Sequence, residues 1–312
     1  MSGSRERTGI RAMRAVRLHG SGSEALEVES IEMPTLAMGE ALVRVLAAGI
    51  TRDELGWPAD RLPATPSYEV SGIVAAVAPD VEEPTVGEPV YGLTPFDCDG
   101  AAAEYVAVSA RLLAPKPREL SHVESAALPL AGLSAWQGLF DHGALKDGQR
   151  VVVTGAAGGV GHLATQLALW RGAYVIAVTS PASAKAASLF GAHEVLVPGN
   201  GFGDTLEPAD LVFDTVGGDL LRRLPTAVRP GGRLVSVAGE PPPVASGAGI
   251  DTRYFVVEPK REQLVELTRL VASGALRPAV DSVFALADAR EAFDRSMAAG
   301  KRGKVVLLVS DE

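Results

Sequence analysis

The sequence predicts an α/β protein in which a doubly wound parallel sheet is inserted into a strand-rich, barrel-like domain. Three observations predict it. Strand and helix signals alternate with short loops across residues 150–238, the pattern of parallel strands covered on both faces. Residues 13–114 instead carry short alternating apolar runs punctuated by Pro and Gly. Beyond residue 260, two amphipathic stretches lead to a final apolar strand, which returns the end of the chain to the first region. The expected division is a loose tail over 1–12, an outer domain from 13–128 and 260–312, and a central domain over 129–259.

Taken in order, Arg5, Arg7, Arg11 and Arg14 lie among Ser and Gly with no apolar stretch behind them. The first dozen residues therefore show no secretory signal, and Met13 is the expected start. Residues 41–46, 72–77 and 105–108 read as strands. Ser121, with Glu124 three residues later, forms a capping box and opens helices over 124–141. Then come a strand at 150–154, a glycine turn, a helix at 160–171, a strand at 174–179, a helix at 183–190 and a strand at 194–197. Strands at 211–214 and 233–238 follow, with a helix at 220–228 between them. Helices at 262–273 and 287–299 and a strand at 304–309 close the chain.

A chain of 312 residues exceeds the size at which one core keeps growing, and 47% apolar with 21% charged residues is an ordinary globular composition. A net charge of −9 and a pI of about 5.2 argue against a nucleic-acid or anionic-membrane surface, either of which needs a basic face. No apolar run reaches the roughly 18 residues that a membrane helix requires. Cys98 is the single cysteine, so no internal disulfide or thiolate-rich zinc lobe can form, and a reduced, cytoplasmic setting fits. Cys98 itself reads as an inert small residue.

The segment VVVTGAAGGVG, residues 151–161, places glycines between a buried strand and a helix. Glycines there permit a tight turn, let backbone amides approach a pyrophosphate and aim the positive helix end at it. Gly155, Ala157, Gly158, Gly159, Val160 and Gly161 are the candidate dinucleotide-binding residues. An NAD site usually carries an acidic residue about 20 positions on, for the ribose hydroxyls. Here that corner offers Thr179, Ser180 and Lys185 and no carboxylate, which suits a 2′-phosphate and favours NADP, although Lys185 alone also reads as solvated helix surface.

With these residues in view, the chain resembles the medium-chain dehydrogenase/reductase superfamily, specifically its zinc-free quinone oxidoreductase branch. The resemblance runs from Met13 to Val309 and rests on LPLAGLSAWQGL (128–139), the glycine segment, FDTVGG (213–218), RPGGRLVSVAG (229–239) and GKVVLLV (303–309) in that order. It implies a GroES-like, partly open barrel built from both chain ends beside a central Rossmann domain, with the active cleft between them. It also implies NADPH binding, reduction of quinones or enones, and a homodimer. By matching position, Ser134 is a hydroxyl near the nicotinamide, and Val216 belongs with the cofactor. Val237, Ala238 and Gly239, with Phe255, Val256 and Val257, line the nicotinamide end, and Lys304 is a cofactor-side lysine.

The sequence departs from the superfamily's zinc enzymes where metal would bind. In AAGITRDE (47–54), Thr51 stands where they carry cysteine, and in PSYEVSG (66–72), Tyr68 stands where they carry histidine. Catalytic zinc needs three protein ligands and an open position. His19, His122, His142, His162 and His193 all lie outside those motifs, so no metal site is expected, and His162 is expected to cap or pack near the glycine turn. Ala156 replaces the first fingerprint glycine, as is usual among zinc-free relatives, and the loop over 55–67 that walls the substrate pocket is short.

Without a Lewis acid, reduction of an already polarised acceptor is the accessible chemistry, and the oxyanion it forms needs a hydrogen-bond donor or a proton. Tyr68 is the candidate donor, or it fills the space a metal ligand leaves. Thr51 is a candidate contact to substrate or ribose, and Arg52 a candidate positive charge or a surface partner of Asp53 or Glu54. Glu69 supports the site rather than reacting. Trp57, Phe96 and Tyr254 read as pocket or core aromatics. The expected function is NADPH-dependent, zinc-independent reduction of quinones or α,β-unsaturated carbonyls. The alternatives are a dedicated enoyl or polyketide-type reductase, or a non-catalytic NADPH-binding sensor or structural protein.

Overall fold

The computed structural model describes residues 12–199, 206–243 and 249–310. Its outer part opens with β1 (Ala12–Leu18), β2 (Leu26–Glu32), β3 (Glu40–Ile50), β4 (Glu69–Val77), β5 (Pro89–Leu93), β6 (Tyr105–Ser109) and β7 (Leu113–Pro115). The short α1 (His122–Ala126) and α2 (Pro129–Trp136) follow, α2 continuing as a π-helical stretch over Gln137–His142. The central part comprises β8 (Arg150–Thr154), α3 (Gly161–Trp170), β9 (Tyr174–Val178), α4 (Ala184–Leu189), β10 (Glu194–Leu196), β11 (Ala209–Asp214), α5 (Gly218–Arg223), β12 (Val228–Ser236) and β13 (Asp251–Tyr254). Then come α6 (Arg261–Ala272), β14 (Val280–Ala285), α7 (Ala289–Met297) and β15 (Lys304–Leu308).

The first sheet has the order β14-β15-β3-β4-β5-β7, with β6 also paired to β3, and β1 and β2 form a separate hairpin. The late strand β15 runs antiparallel to β3, from Val305 opposite Ile50 to Leu308 opposite Ala47, so the chain's end is woven into its beginning. Val43, Val45 and Ala48 on β3 and Val305 and Leu307 on β15 share one buried cluster. Each of these valine and leucine side chains removed from water contributes roughly 2 kcal/mol.

The second sheet is wholly parallel in the order β10-β9-β8-β11-β12-β13, which reverses direction between β8 and β11. Ligands of such sheets sit at that reversal, outside the carboxyl ends of the strands. Val151, Val152 and Val153 of β8 are fully buried, as a strand covered on both faces must be. Helix α6 joins the two parts: Leu264 and Leu267 lie in the same core cluster as Val151, Val153 and Tyr68. The Tyr91 hydroxyl donates to Leu264 O at 2.6 Å. A side chain at Gly132 of α2 would come within 2.7 Å of Leu267 Cδ1, so that glycine permits the close crossing of α2 and α6.

Several boundaries differ from the sequence expectation. Ala12 is not tail but the first residue of β1, paired with Glu32, while the rest of the expected tail lies outside the described residues. The helix expected over 220–228 is α5 followed by a 3₁₀ turn over Leu224–Ala227, and Val228 already belongs to β12. That strand therefore starts before the 233 expected and ends at Ser236, leaving Val237 and Ala238 in the loop beyond it. The Pro230-Gly231 pair reads as a turn, but β12 passes through it with a register shift against β11; Gly231 takes φ 77° and donates to Gly249 O. The helix expected from 183 is a 3₁₀ turn, Pro181–Ser183, before α4. Strands β13 and β14 were not anticipated. No helix among the described residues is long and apolar enough to cross a membrane.

Candidate active site

The glycine turn lies at the carboxyl end of β8, next to the reversal in strand order. Gly155 has φ 60°, and a side chain there would meet Thr215 Oγ1 at 2.6 Å. A Cβ at Gly161 would lie 2.2 Å from Gly155 O, so the turn closes only if position 161 has none. Among the described residues the amides of Ala157 and Val160 take no hydrogen-bond partner, which leaves them for an anion at the start of α3. This cradle fits a dinucleotide pyrophosphate.

Residues from the end of the chain complete the turn. Gly303 N donates to Ala157 O at 2.9 Å, and the Lys304 stem occupies the space a Gly159 side chain would need, with Cδ 2.9 Å from that position. His162, fully buried, accepts from Ala279 N on Nε2 at 2.9 Å and donates from Nδ1 to Gly158 O at 2.8 Å. Burial holds its pKa down to about 4, the Gly158 and Gly159 carbonyls opposing, so the ring is neutral with its proton on Nδ1. It packs beside the turn, as expected.

The walls of the crevice are set by Asp214. Its fully buried carboxylate accepts from Thr154 Oγ1 at 2.7 Å, Ser236 Oγ at 2.9 Å and Gly217 N at 3.0 Å, and more weakly from Val216 N at 3.3 Å. One side chain thus fixes the ends of β8, β11 and β12 together. Val216, on that loop, is 51% exposed, and Ala238 and Val256 are exposed beside the same strand ends. Phe255 and Val257 turn inward to the core, whereas Gly239 lies half-buried. At the end of β9, Thr179 is buried while Ser180 and Lys185 are exposed; Ser180 Oγ donates to Ser183 Oγ at 3.3 Å, adding a hydroxyl to that corner. Ser134 is buried on α2.

The second group forms around the end of β3 and the start of β4. Lys304, 5% exposed, donates to Thr51 Oγ1 at 2.9 Å and pairs with Glu69 Oε2. The other Glu69 oxygen accepts from Leu130 N at 2.9 Å in the first turn of α2, where a carboxylate meets a positive helix end. Glu69 is therefore a support, as expected. The Thr51 to Glu69 contact is long, 3.4 Å, and Thr51 is only partly buried, so its hydroxyl proton remains available to a neighbouring acceptor. Lys304 thereby links the glycine turn to Thr51, a connection between residues 253 apart in sequence.

Tyr68 is fully buried between Trp57 and Phe96, whose ring centroids lie 5.5 and 5.3 Å from its own. Its hydroxyl accepts from Arg61 Nη2 at 2.8 Å, and the same nitrogen donates to Phe96 O at 2.9 Å. Burial pushes the phenol pKa up to about 12, with Arg61 opposing and Glu54 adding to the rise. Trp57 is 37% exposed, and Tyr254 lies on β13 in the central sheet rather than in this group. Arg52 is exposed and makes no ion pair with Asp53 or Glu54 among the described residues. Residues that sequence reasoning passed over are Arg61, Asp214 and the fully buried Glu54. Among the described residues, the grouping of His, Cys, Asp and Glu with metal-ligand spacing is His19, Glu27 and Glu29 on the β1–β2 hairpin, not the Thr51 and Tyr68 pair. Cys98 is exposed, and burial and Asp97 raise its thiol pKa, in keeping with an inert side chain.

Residues 37–118 match the family described as alcohol dehydrogenase GroES-like domain, and residues 190–307 the one described as zinc-binding dehydrogenase. The chain is 31% identical over 316 residues to a protein of Arthroderma benhamiae named as a probable zinc-binding oxidoreductase, mitochondrial, with 91% of this chain and 92% of that one covered. It is 31% identical over 303 residues to 2-methylene-furan-3-one reductase of Solanum lycopersicum, covering 91% and 76%. The quinone oxidoreductase structure from Coxiella burnetii superposes with a TM-score of 0.88 at 27% identity, covering 96% of this chain and all of that one.

Proposed function

Because the chain belongs to the medium-chain dehydrogenase/reductase superfamily, in its quinone oxidoreductase-like branch, we propose that this oxidoreductase is an NADPH-dependent, zinc-independent reductase of quinones or of the activated C=C bond of α,β-unsaturated carbonyls. The observation that carries the reading is the Lys304 linkage: its stem packs against the glycine turn, and its buried ammonium holds the hydroxyl of Thr51, which stands where zinc relatives carry a metal ligand.

When bound, NADPH supplies the hydride. The amides of Ala157 and Val160 would hold its pyrophosphate, and Thr179, Ser180 and Lys185 would hold its 2′-phosphate. Val216, Val237, Ala238 and Gly239, with the backbone of Phe255, Val256 and Val257 and with Ser134 of α2, would border its nicotinamide end. Residues 129–259 form the cofactor unit in this reading. As hydride reaches the acceptor, negative charge grows on its oxygen. Thr51 donates to that oxygen, with its own oxygen fixed by Lys304, an arrangement that needs no rearrangement during reaction.

Among the described residues, the grouping with metal-ligand spacing lies at His19, Glu27 and Glu29 and not around Thr51, which supports metal independence. Of the side chains beside Thr51, Glu69 is already committed to Lys304 and Leu130 N, and Tyr68 to Arg61. The closed packing of Tyr68 supports its space-filling role over direct proton donation. The outer edge of β13 has no strand partner among the described residues, with Tyr254 and Val256 exposed beside it, which supports a homodimer formed across that edge.

The test is a titration with NADPH and NADH followed by a panel of quinones and enones, with and without prior dialysis against a chelator. NADPH is expected to bind at least tenfold more tightly than NADH, a difference of about 1.4 kcal/mol. Lys185→Ala is expected to remove most of that preference, and chelation to leave turnover unchanged. Equal binding of the two cofactors overturns the NADPH assignment, and loss of activity on chelation restored by zinc overturns metal independence.

A further inference from the structure

Helix α2 does not stop where its α-helical bonding does. From Gln137 to His142 it runs on with π-type bonds, Gly143 N donating to Gly138 O at 3.0 Å. Such stretches are rare and concentrate at functional sites. A side chain at Gly138 would meet Phe213 Cε2 at 2.2 Å, so that glycine lets the stretch lie directly on β11. From there it grips residues 255–258, the segment between β13 and α6, at two points. The His142 ring packs on Phe255 with centroids 4.3 Å apart, and the buried Gln137 side chain holds Glu258.

The Gln137 amide treats Glu258 as a neighbouring strand would. Its Nε2 donates to Glu258 O at 2.8 Å, and its Oε1 accepts from Glu258 N at 3.0 Å. The other Nε2 proton goes to Gln263 Oε1 at 2.9 Å, and Gln263 Nε2 donates in turn to Asp141 Oδ2 at 2.8 Å. Both protons of the Gln137 amide are thus committed, and because a backbone N–H can only donate, Glu258 itself fixes which way the amide points. A buried network satisfied in this way specifies one backbone position, since leaving a member unpaired costs its full desolvation. Ser134 lies one turn before Gln137 on the same buried side of α2.

We propose that Gln137 is the positioning residue of the nicotinamide wall: by holding both polar groups of the Glu258 backbone, it sets where Phe255, Val256 and Val257 stand relative to Ser134. This rests on the reductase reading above, which puts those four residues at the nicotinamide end. The segment's other end is tied to β12 by Phe255 N, which donates to Ser236 O at 3.2 Å. Between the two ties Val256 is 59% exposed while Phe255 and Val257 are buried. Release of the Glu258 end moves the wall and leaves the glycine turn and the corner after β9 as they are. A displacement of about 1 Å at a reacting centre costs on the order of 100-fold in rate.

The test separates the two ends of the cofactor. Gln137→Met keeps the length of the side chain and removes its hydrogen bonds. The variant is expected to bind NADPH roughly tenfold more weakly, to bind 2′,5′-ADP, which lacks the nicotinamide, within about twofold of wild type, and to lose roughly 10–100-fold in kcat. Equal weakening of both ligands marks a residue that only supports the fold and overturns the proposal, as does a variant with wild-type NADPH affinity and kcat. Amide hydrogen exchange on the wild-type chain gives a readout that does not depend on the variant's folding. The Glu258 amide should exchange slowly in the free protein and more slowly with NADPH, with 2′,5′-ADP adding nothing. Exchange at the rate of an open chain, or equal protection by both ligands, overturns the assignment. If the wild-type chain prefers NADH, NADH against ADP makes the same comparison, so an error in the phosphate assignment is told apart from an error in the wall. If it reduces no quinone or enone and binds neither dinucleotide more tightly than the matching fragment, the reductase reading fails and the proposal with it.

Discussion

The glycine turn over 155–161 and the polar group around Thr51 and Glu69 meet at Lys304, yet they are held in place by different means. In the turn, shape comes from atoms that are missing: Gly155 and Gly161 leave no room for a Cβ. In the polar group, shape comes from charges that are present and paired, Lys304 with Glu69 and Thr51, inside a region almost closed to water. Steric absence is rigid and insensitive to pH. Charge pairing in a low-dielectric site depends on every partner keeping its protonation state.

That contrast can be broken first at its hinge. Lys304→Met removes one member of a buried pair and leaves Glu69 uncompensated, which should cost about 3–5 kcal/mol of stability, measured as a shift in the denaturant midpoint. A loss below about 1 kcal/mol would mean that the pair contributes little and that packing holds the group. On the steric side, Gly161→Ala places a methyl 2.2 Å from Gly155 O and should weaken NADPH binding by roughly 30-fold, about 2 kcal/mol, with little change in the pH profile. Unchanged affinity would show that the turn yields where its contacts say it cannot. The smallest effect is expected at Tyr68→Phe, which keeps the ring between Trp57 and Phe96 and gives up one hydrogen bond to Arg61. Stability should fall by about 1 kcal/mol, and if Tyr68 fills space rather than donating a proton, kcat should stay within about twofold. A large drop in kcat with stability intact would return the proton-donor role to Tyr68.

How much of this was legible in the sequence follows the same division. Glycines between a buried strand and a helix announce their own geometry, because few turns demand residues without side chains at that spacing. That positions 51 and 68 carry Thr and Tyr rather than Cys and His was equally visible, since it depends only on residue type at a position. Glu54 was not. In AAGITRDE it follows Asp53 and reads as the second of two solvated acids, and only the fold reveals that Asp53 is exposed while Glu54 is buried. Asp214 hides in FDTVGG for the same reason, because its partners Thr154 and Ser236 lie 60 and 22 residues away. Among the elements, β13 escaped notice because Asp-Thr-Arg-Tyr is a polar edge strand with little apolar alternation, and the start of β12 because Pro-Gly within it mimics a turn. Periodicity reports burial, and an edge strand has little of it.

His162 sets an order on assembly. It ties the glycine turn to Ala279, 117 residues later, and Gly303 and Lys304 add their contacts later still. During synthesis the turn leaves the ribosome well before the segments that brace it. A nascent chain ending ahead of Lys304 therefore has every glycine of the nucleotide loop but neither the strut beneath Gly159 nor the cation that holds Thr51. The braced geometry of the glycine turn is thus complete only once the last strand is in place.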